Sequence, residues 1–255
     1  MANRPIRFLR PALACTDHPL FIFCPGMDGN GLLLHHQIPQ LMVGFDICCL
    51  RISPHYCFSW DILVQETLNL IEAEIAKHEQ PVYLCGESFG GCLALLISLQ
   101  APQWFKRLIL VNPASSFRAL PWLQWGSHLT QYLPTPIYSL SALGLLPFLA
   151  ALGRMGQQEI GKLRAAMQSL PQQTLIHRLE LLRRFEIDPA QLKGLNLPTL
   201  ILASGADRLL PSVTEAKRYV KELPQAKMII LPHSGHACLL ETDINLYELM
   251  QTVWS

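Results

Sequence analysis

One serine in the chain has the surroundings of a catalytic nucleophile. Ser88 lies in the pentapeptide GESFG, residues 86–90, which fits the pattern G-x-S-x-G. A serine hydroxyl is a weak nucleophile until a neighbouring base accepts its proton, and an acid commonly orients that base. Covalent catalysis at Ser88 therefore requires a histidine and a carboxylate that the fold brings close to it.

His236 is the candidate base. It follows a short apolar run in the stretch LPHSGHACLLE, where Gly235 allows the chain to turn. His233 lies in the same stretch, but we favour His236 because the chain must extend past the strand end to reach back over a sheet. The spacing H-x-x-H also fits half of a zinc site, yet the sequence offers no third ligand, so no metal is expected.

Asp207 is the candidate acid, in the stretch LILASGADRLLP. Its role would be to orient the imidazole and to stabilise the imidazolium. The alternative interpretation is a surface turn residue. Some hydrolases place the acid after the preceding strand, where this chain has Asn112, and we assign Glu241 and Asp243 to a final helix.

Two backbone N–H groups are candidates for stabilising an oxyanion. One belongs to Phe89, directly after the serine, and the other to Met27, in the turn-rich segment PGMDGNG of residues 25–31. The alternative for this segment is a plain glycine-rich loop. A phosphate-binding loop is disfavoured because no GK[ST] follows it.

The elements that must position these residues alternate between short apolar runs and helical spacing. Predicted strands cover residues 20–24, 45–51, 82–85, 108–111, 199–203 and 227–231, and predicted helices cover 61–77, 89–99, 212–223 and 243–253. This alternation predicts an α/β fold with a mainly parallel sheet. Ser88 falls between a strand and a helix, which favours a sharp nucleophile turn over a capping serine in a glycine-rich turn.

An insertion interrupts this alternation. We predict a core of residues 1–112 and 197–255 and a helical lid over residues 113–196, with a helix-like stretch at 157–185. No charged residue lies between Arg118 and Arg154, and Trp122 and Trp125 add apolar surface. Prolines interrupt the segment, which disfavours a membrane span of about 20 residues. A lid that packs only on its own core is the alternative to one that binds apolar ligands.

Composition excludes several classes of protein. Half of the 255 residues are apolar and 15% are charged, against about 25% in average proteins, which is the reverse of a disordered chain. The net charge of +1 gives no electrostatic basis for nucleic-acid binding. Eight cysteines without a CxxC pair indicate free buried thiols, and the first residues lack the apolar core of a secretory signal. A cytoplasmic protein is expected.

Taken in order, these segments resemble the α/β-hydrolase superfamily. More narrowly, they are similar to the hydrolase half of plastid and cyanobacterial esterase/acyltransferases of the phytyl ester synthase type. The similar segments are FCPGMDGNGLLLHHQ, FDICCLRI, PVYLCGESFGGCLALLISLQAP, LILVNPASSF, LASGADRLLPS and HSGHACLLE. The resemblance implies Ser88, Asp207 and His236 as a catalytic triad, which agrees with the reasoning from the residues.

The function expected from this sequence is cleavage of a carboxylic ester or thioester through an acyl-Ser88 intermediate, without a cofactor. The resemblance also implies an acyltransferase, but the acyltransferase pattern H-x-x-x-x-D does not occur in the sequence. Two further hypotheses are cleavage of carbon–carbon bonds by the same triad and a ligand-binding module without turnover. The apolar insertion would suit a lipid-like acyl chain or contact with a membrane or lipid droplet.

Overall fold

A seven-stranded sheet forms the centre of the protein. The computed structural model describes residues 5–15, 17–77, 79–120 and 144–254. Along the sheet the strands lie in the order β1, β3, β2, β4, β5, β6, β7, and all neighbours are parallel except β1 and β3. The strands are β1 (Ile6–Leu9), β2 (Leu20–Cys24), β3 (Asp46–Ile52), β4 (Val82–Glu87), β5 (Arg107–Val111), β6 (Thr199–Ser204) and β7 (Ala226–Leu231).

Helices follow most strands, as a parallel sheet requires. They are α1 (Ile38–Leu41), α2 (Trp60–Ile75), α3 (Phe89–Gln100), α4 (Leu146–Leu149), α5 (Gln157–Gln168), α6 (Gln172–Arg183), α7 (Pro189–Gly194), α8 (Ser212–Glu222) and α9 (Leu246–Trp254). Short 3-10 turns cover Leu32–His36, Pro102–Trp104, Ala114–Ala119, Leu152–Arg154 and Cys238–Leu240.

The core has two layers, one on each face of the sheet. Strand β2 shows why: Leu20 and Ile22 belong to the cluster under α2 and α3, while Phe21 and Phe23 belong to the cluster that packs on α9. Successive side chains of a strand point to opposite faces, so a strand covered on both faces is a continuous apolar run. The predicted α/β fold is thus confirmed.

Between β5 and β6 the chain forms α4 to α7. A third apolar cluster joins this insertion to the core, with Ala150, Met155 and Leu163 packed against Ala237 and Leu240. The tryptophan-rich part of the predicted lid, residues 121–143, lies outside the described residues. Among the residues that are described, no helix is both long enough and apolar enough to cross a bilayer.

The structure corrects the sequence prediction at three places. Strand β1 was not predicted. The helix-like stretch 157–185 consists of two helices, α5 and α6, because Pro171 lies between them. The final helix α9 begins at Leu246, so Glu241 and Asp243 lie before it and not within it.

Candidate active site

The turn that carries Ser88 joins β4 directly to α3. Ser88 has φ +53°, a conformation that costs an L-residue energy and that recurs at functional sites. Glycine is required two residues before and two residues after Ser88. A Cβ at Gly86 would lie 2.2 Å from the Gly90 carbonyl oxygen, and one at Gly90 would lie 2.0 Å from the Cys24 carbonyl oxygen. These two glycines let the chain reverse tightly enough to leave Ser88 at the tip of the turn.

The structure brings the three predicted site residues together. His236 Nε2 lies 2.9 Å from Ser88 Oγ, and His236 Nδ1 lies 2.7 Å from Asp207 Oδ2. The imidazole is therefore in position to take a proton from the hydroxyl while the carboxylate holds its other nitrogen. His233, the alternative base, is exposed to solvent.

Asp207 is held as a carboxylate by the chain that follows it. Its Oδ1 accepts hydrogen bonds from the backbone N–H groups of Leu209 (2.8 Å) and Leu210 (3.0 Å), and its Oδ2 accepts one from the Ser212 hydroxyl (2.5 Å). Burial raises the pKa of Asp207, but His236 and these hydrogen bonds lower it more, so its pKa is below the usual range. Asp207 stays ionised and cannot swing away from the imidazole.

Burial and charge act in opposite directions on His236. Burial lowers its pKa, while the charge and hydrogen bond of Asp207, together with the charge of Glu87, raise it, and the net shift is upward. An upward shift makes His236 a stronger base. The same negative charges stabilise the imidazolium that forms when the imidazole accepts a proton.

The Phe89 N–H and the loop that contains Met27 lie next to Ser88. Phe89 is the first residue of α3, so its N–H is one of the four that a helix leaves without an internal partner. On the other side, a Cβ placed on Gly26 would be 3.8 Å from Ser88 Cβ, which puts the loop that contains Met27 against the nucleophile. This placement agrees with the predicted oxyanion hole, whose role remains a proposal.

Asn112 is a site residue whose role the sequence did not reveal. It is fully buried directly after β5 with φ +43°, at the position where some hydrolases place the acid. Its Nδ2 donates to the His236 carbonyl oxygen (2.7 Å) and to Ser204 Oγ (2.8 Å), and its Oδ1 accepts from the Ser204 N–H (2.8 Å). Asn112 thus ties the histidine loop to the ends of β5 and β6.

Glu241 holds the same loop from the other side. This carboxylate is fully buried; its Oε1 accepts from the Gly235 N–H (2.7 Å) and its Oε2 pairs with Arg154 Nε (2.7 Å). Nearby, the Ala237 N–H donates to the carbonyl of Leu149 in α4 (2.8 Å). The insertion therefore contributes directly to the placement of His236.

Glu87, the last residue of β4, is a buried carboxyl beside the site. Burial raises its pKa to about 7, an effect that the neighbouring His236 opposes and the negative charge of Asp28 reinforces. Near neutral pH this side chain is partly protonated, in contrast to Asp207. Its identity follows from the GESFG segment, but its protonation depends on burial that a motif does not encode.

Comparison with known proteins decides the family. The family model described as Hydrolase_4, serine aminopeptidase S33, matches residues 54–243, most of the chain. The chain belongs to this family. Solved structures agree on its α/β-hydrolase fold: MenH from S. aureus superposes with a TM-score of 0.75 at 16% identity, covering 98% of this chain and 96% of that one. A hydrolase from Pseudomonas aeruginosa PA01 gives a TM-score of 0.69 at 18% identity, with 91% of each chain covered.

Among curated relatives, phytyl ester synthase 1, chloroplastic, from Arabidopsis thaliana is 33% identical over 261 residues. The match covers 92% of this chain and 37% of that protein, and phytyl ester synthase 2 is 31% identical with 97% and 40% covered. The chain thus spans about two fifths of the length of these relatives. A pimeloyl-[acyl-carrier protein] methyl ester esterase from Vibrio parahaemolyticus is 28% identical over 86% of this chain and 88% of its own length. The chain is thus a member of the α/β-hydrolase superfamily.

Proposed function

We propose that the protein is a serine esterase or thioesterase that works through an acyl-Ser88 intermediate. One observation carries the proposal: a hydrogen-bonded series runs from Ser88 Oγ through both ring nitrogens of His236 to Asp207 Oδ2. All three residues arise from different elements of the fold. A hydrolase fold that serves only to bind a ligand has no need for this alignment.

In the first half of the proposed reaction, Ser88 Oγ attacks the carbonyl carbon of the substrate. His236 Nε2 accepts the hydroxyl proton as the new C–O bond forms, and Asp207 stabilises the imidazolium. The carbonyl oxygen becomes an oxyanion that accepts hydrogen bonds from the N–H groups of Met27 and Phe89. The intermediate then expels the alcohol or thiol, which takes the proton from His236, and the acyl group stays on Ser88.

In the second half, water takes the place of the alcohol. His236 removes a proton from the water as its oxygen attacks the acyl carbon, and the same two N–H groups receive the second oxyanion. Collapse of this intermediate breaks the bond to Ser88 Oγ and returns the proton to it. A carboxylic acid leaves, and the enzyme is regenerated without a cofactor.

The proposed substrate carries an apolar, lipid-like acyl chain. The insertion has no charged residue between Arg118 and Arg154, and its α4 end lies beside the histidine loop, where Leu149 accepts from the Ala237 N–H. Leu145 and Phe148 are about half exposed on the same segment. Apolar surface next to a catalytic histidine favours a long acyl group and also contact with a membrane or lipid droplet.

Transfer of the acyl group to an alcohol is the second candidate. It is favoured by the similarity to the two phytyl ester synthases, at 33% and 31% identity over nearly the whole of this chain. In that reaction a long-chain alcohol such as phytol would replace water in the second half. The same residues would act on its hydroxyl proton.

The test compares the wild-type protein with Ser88→Ala on p-nitrophenyl esters of increasing acyl length, with and without phytol. Ser98→Ala is the matched control, because Ser98 is a buried serine on the same helix α3 whose hydroxyl donates to the Leu95 carbonyl oxygen. Loss of a triad serine costs about a thousand-fold or more in turnover. A fluorophosphonate forms a covalent bond with an activated serine and releases fluoride. It should label the wild type and Ser98→Ala but not Ser88→Ala.

The outcomes separate the candidates. Activity that rises with acyl length and disappears in Ser88→Ala supports a lipid esterase, and a phytyl ester product supports the transferase. Turnover that survives in Ser88→Ala contradicts the acyl-serine mechanism. A wild type that neither hydrolyses any ester nor reacts with the fluorophosphonate indicates a binding module.

A further inference from the structure

Helix α6 of the insertion places a fully buried arginine beneath the active-site loop. Arg178 is 0% exposed, and its Nη1 donates to the carbonyl oxygen of Met27 (2.5 Å). Its Nη2 lies 3.4 Å from the Ser53 carbonyl oxygen, and its Nε is buried without a hydrogen-bond partner among the described residues. Arginine is almost never fully buried unless its charge is compensated, because removing the guanidinium charge from water is costly. Arg178 therefore calls for an explanation beyond packing.

The loop of residues 25–31 is shaped around this guanidinium. Gly29 has φ +68°, and a Cβ there would lie 2.5 Å from Arg178 Nη1, so the backbone itself touches the cation. Asp28, next to it, is half-buried, and its Oδ2 accepts a hydrogen bond from the Asn30 N–H (2.9 Å). Burial raises the pKa of Asp28, while the Asn30 N–H and the charge of Arg178 lower it. The buried Arg178 guanidinium therefore lies against the loop backbone, with the charge of the Asp28 carboxyl close by.

Other residues on the same face of α6 hold a different loop. Thr174 Oγ1 donates to the Pro54 carbonyl oxygen (2.5 Å), and His177 Nε2 lies 3.0 Å from the backbone nitrogen of Phe58. Residues three and four apart share a helix face, so α6 is docked by several polar contacts. Arg178 differs because, besides its longer contact with Ser53, it also reaches the Met27 loop, which flanks Ser88.

We propose that Arg178 is a positioning residue for the oxyanion hole. By holding the Met27 carbonyl, it fixes the loop so that the Met27 N–H faces the oxyanion beside Ser88. Oxyanion donors act because they are placed before the reaction begins, and a displacement of about 1 Å can cost about a hundred-fold in rate. The inference rests on the proposed function, since it assigns Arg178 a role in the same reaction.

The variant Arg178→Met tests this role. Methionine fills similar space without a donor, and exchange of a buried charge for an apolar side chain is often tolerated by the fold. We expect kcat/KM to fall by about 10- to 100-fold with KM changed less than about three-fold, because the lost contact acts on the transition state. An alkyl boronic acid, whose tetrahedral adduct on Ser88 places an oxygen in the oxyanion hole, should lose affinity by a similar factor.

Thr174→Val is the matched control, because it removes a polar contact of the same helix without touching the Met27 loop. We expect its kcat/KM and its boronic acid affinity to stay within about three-fold of wild type, at a temperature well below its Tm. Equal losses in Thr174→Val and Arg178→Met would overturn the inference, since both would then reflect general docking of α6.

A second variant covers the case in which Arg178→Met does not fold. Arg178→Lys keeps the charge but lacks the planar fork, and we expect an intermediate loss of kcat/KM and of boronic acid affinity. Wild-type values for Arg178→Lys in both measurements, or a changed KM with unchanged kcat, would contradict the positioning role. Failure of the proposed function is distinguishable, because the wild type itself would then be unlabelled by fluorophosphonate or Ser88→Ala would remain active.

Discussion

The serine turn and the histidine loop sit side by side but are held in place by different means. The turn is fixed by its own sequence, because Gly86 and Gly90 allow the tight reversal that leaves Ser88 exposed to the site. The loop around His236 is fixed largely from outside, by Asn112 at the end of β5 and by the α4 carbonyl of Leu149. One half of the site is thus encoded locally and the other by the assembled fold.

The largest effect is expected from a change in the locally encoded turn. Gly90→Ala places a Cβ 2.0 Å from the Cys24 carbonyl oxygen, and since both are backbone-fixed the sheet must shift. We expect the free energy of unfolding to fall by about 3 kcal/mol or more, measured by urea denaturation, with loss of fluorophosphonate labelling. Gly161→Ala in α5 is the control, because its Cβ would meet no atom within 4 Å. The free energy of unfolding of Gly161→Ala should rise by up to about 1 kcal/mol. An equal change in the two variants would show that the serine turn does not require glycine at position 90.

The externally held loop should be most sensitive at Asn112. Asn112→Asp is isosteric but replaces the Nδ2 donor by an oxygen facing the His236 carbonyl and Ser204 Oγ. We expect a loss of about 3 kcal/mol in unfolding free energy and, below the Tm, a fall of about 100-fold in kcat/KM. Asn69→Asp introduces the same charge at an exposed position of α2. A loss no larger than that of Asn69→Asp would show that the loop does not depend on Asn112.

Glu87 lies directly before Ser88 and should make the contribution of the serine turn to the free energy of unfolding depend on pH. Its pKa in the folded protein, about 7, lies above the ordinary 4.5, so its contribution to stability is complete below pH 4.5 and is lost as pH rises through 7. Glu87→Gln mimics the protonated side chain at every pH. We expect it to equal the wild type in stability near pH 4.5 and to exceed it by about 2–3 kcal/mol at pH 8. Urea denaturation at both pH values measures this, with Glu72→Gln on the exposed face of α2 as control; a constant difference across pH would refute it.

The smallest effect is expected at Glu241. Glu241→Gln keeps one acceptor for the Gly235 N–H, but its amide N–H group then opposes Arg154 Nε. We expect a loss of about 1–2 kcal/mol in unfolding free energy and a fall of about 3- to 10-fold in kcat/KM. Asp243 binds the same arginine (2.6 Å) from an exposed position, so Asp243→Asn should change stability by about 0.5 kcal/mol or less. Matching effects of the two variants would mean that burial of Glu241 is unimportant for the loop.

The contrast between the locally encoded serine turn and the externally held histidine loop explains which parts of the site could be predicted from the sequence. The GESFG turn and the order of Ser88, Asp207 and His236 follow from a local motif and from the alternation of strands and helices. The roles of Asn112 and Arg178 could not be predicted. The neighbouring sequence does not show whether an amide after a strand, or an arginine in a helix, is buried. Both become site residues only when segments more than a hundred residues apart meet.

The strands of the sheet also differ in whether the local sequence predicts them. Buried strands such as β2 are continuous apolar runs, so the central sheet was predictable from hydrophobicity alone. Strand β1 was not, because IRFL is only four residues long, lies at the edge and carries an arginine. Its pairing with β3 depends on a partner more than forty residues away, for example Ile6 opposite Ile52. Whether a short edge segment forms a strand depends on the strand with which it pairs.

The distance along the chain between Ser88 and His236, 148 residues, has a consequence for synthesis on the ribosome. A growing chain emerges from its amino end, so the strands around Ser88 are available to fold well before His236 has been added. A serine without its base is a poor nucleophile. The nascent protein therefore passes through its exposed, half-assembled stage without the ability to attack esters around it.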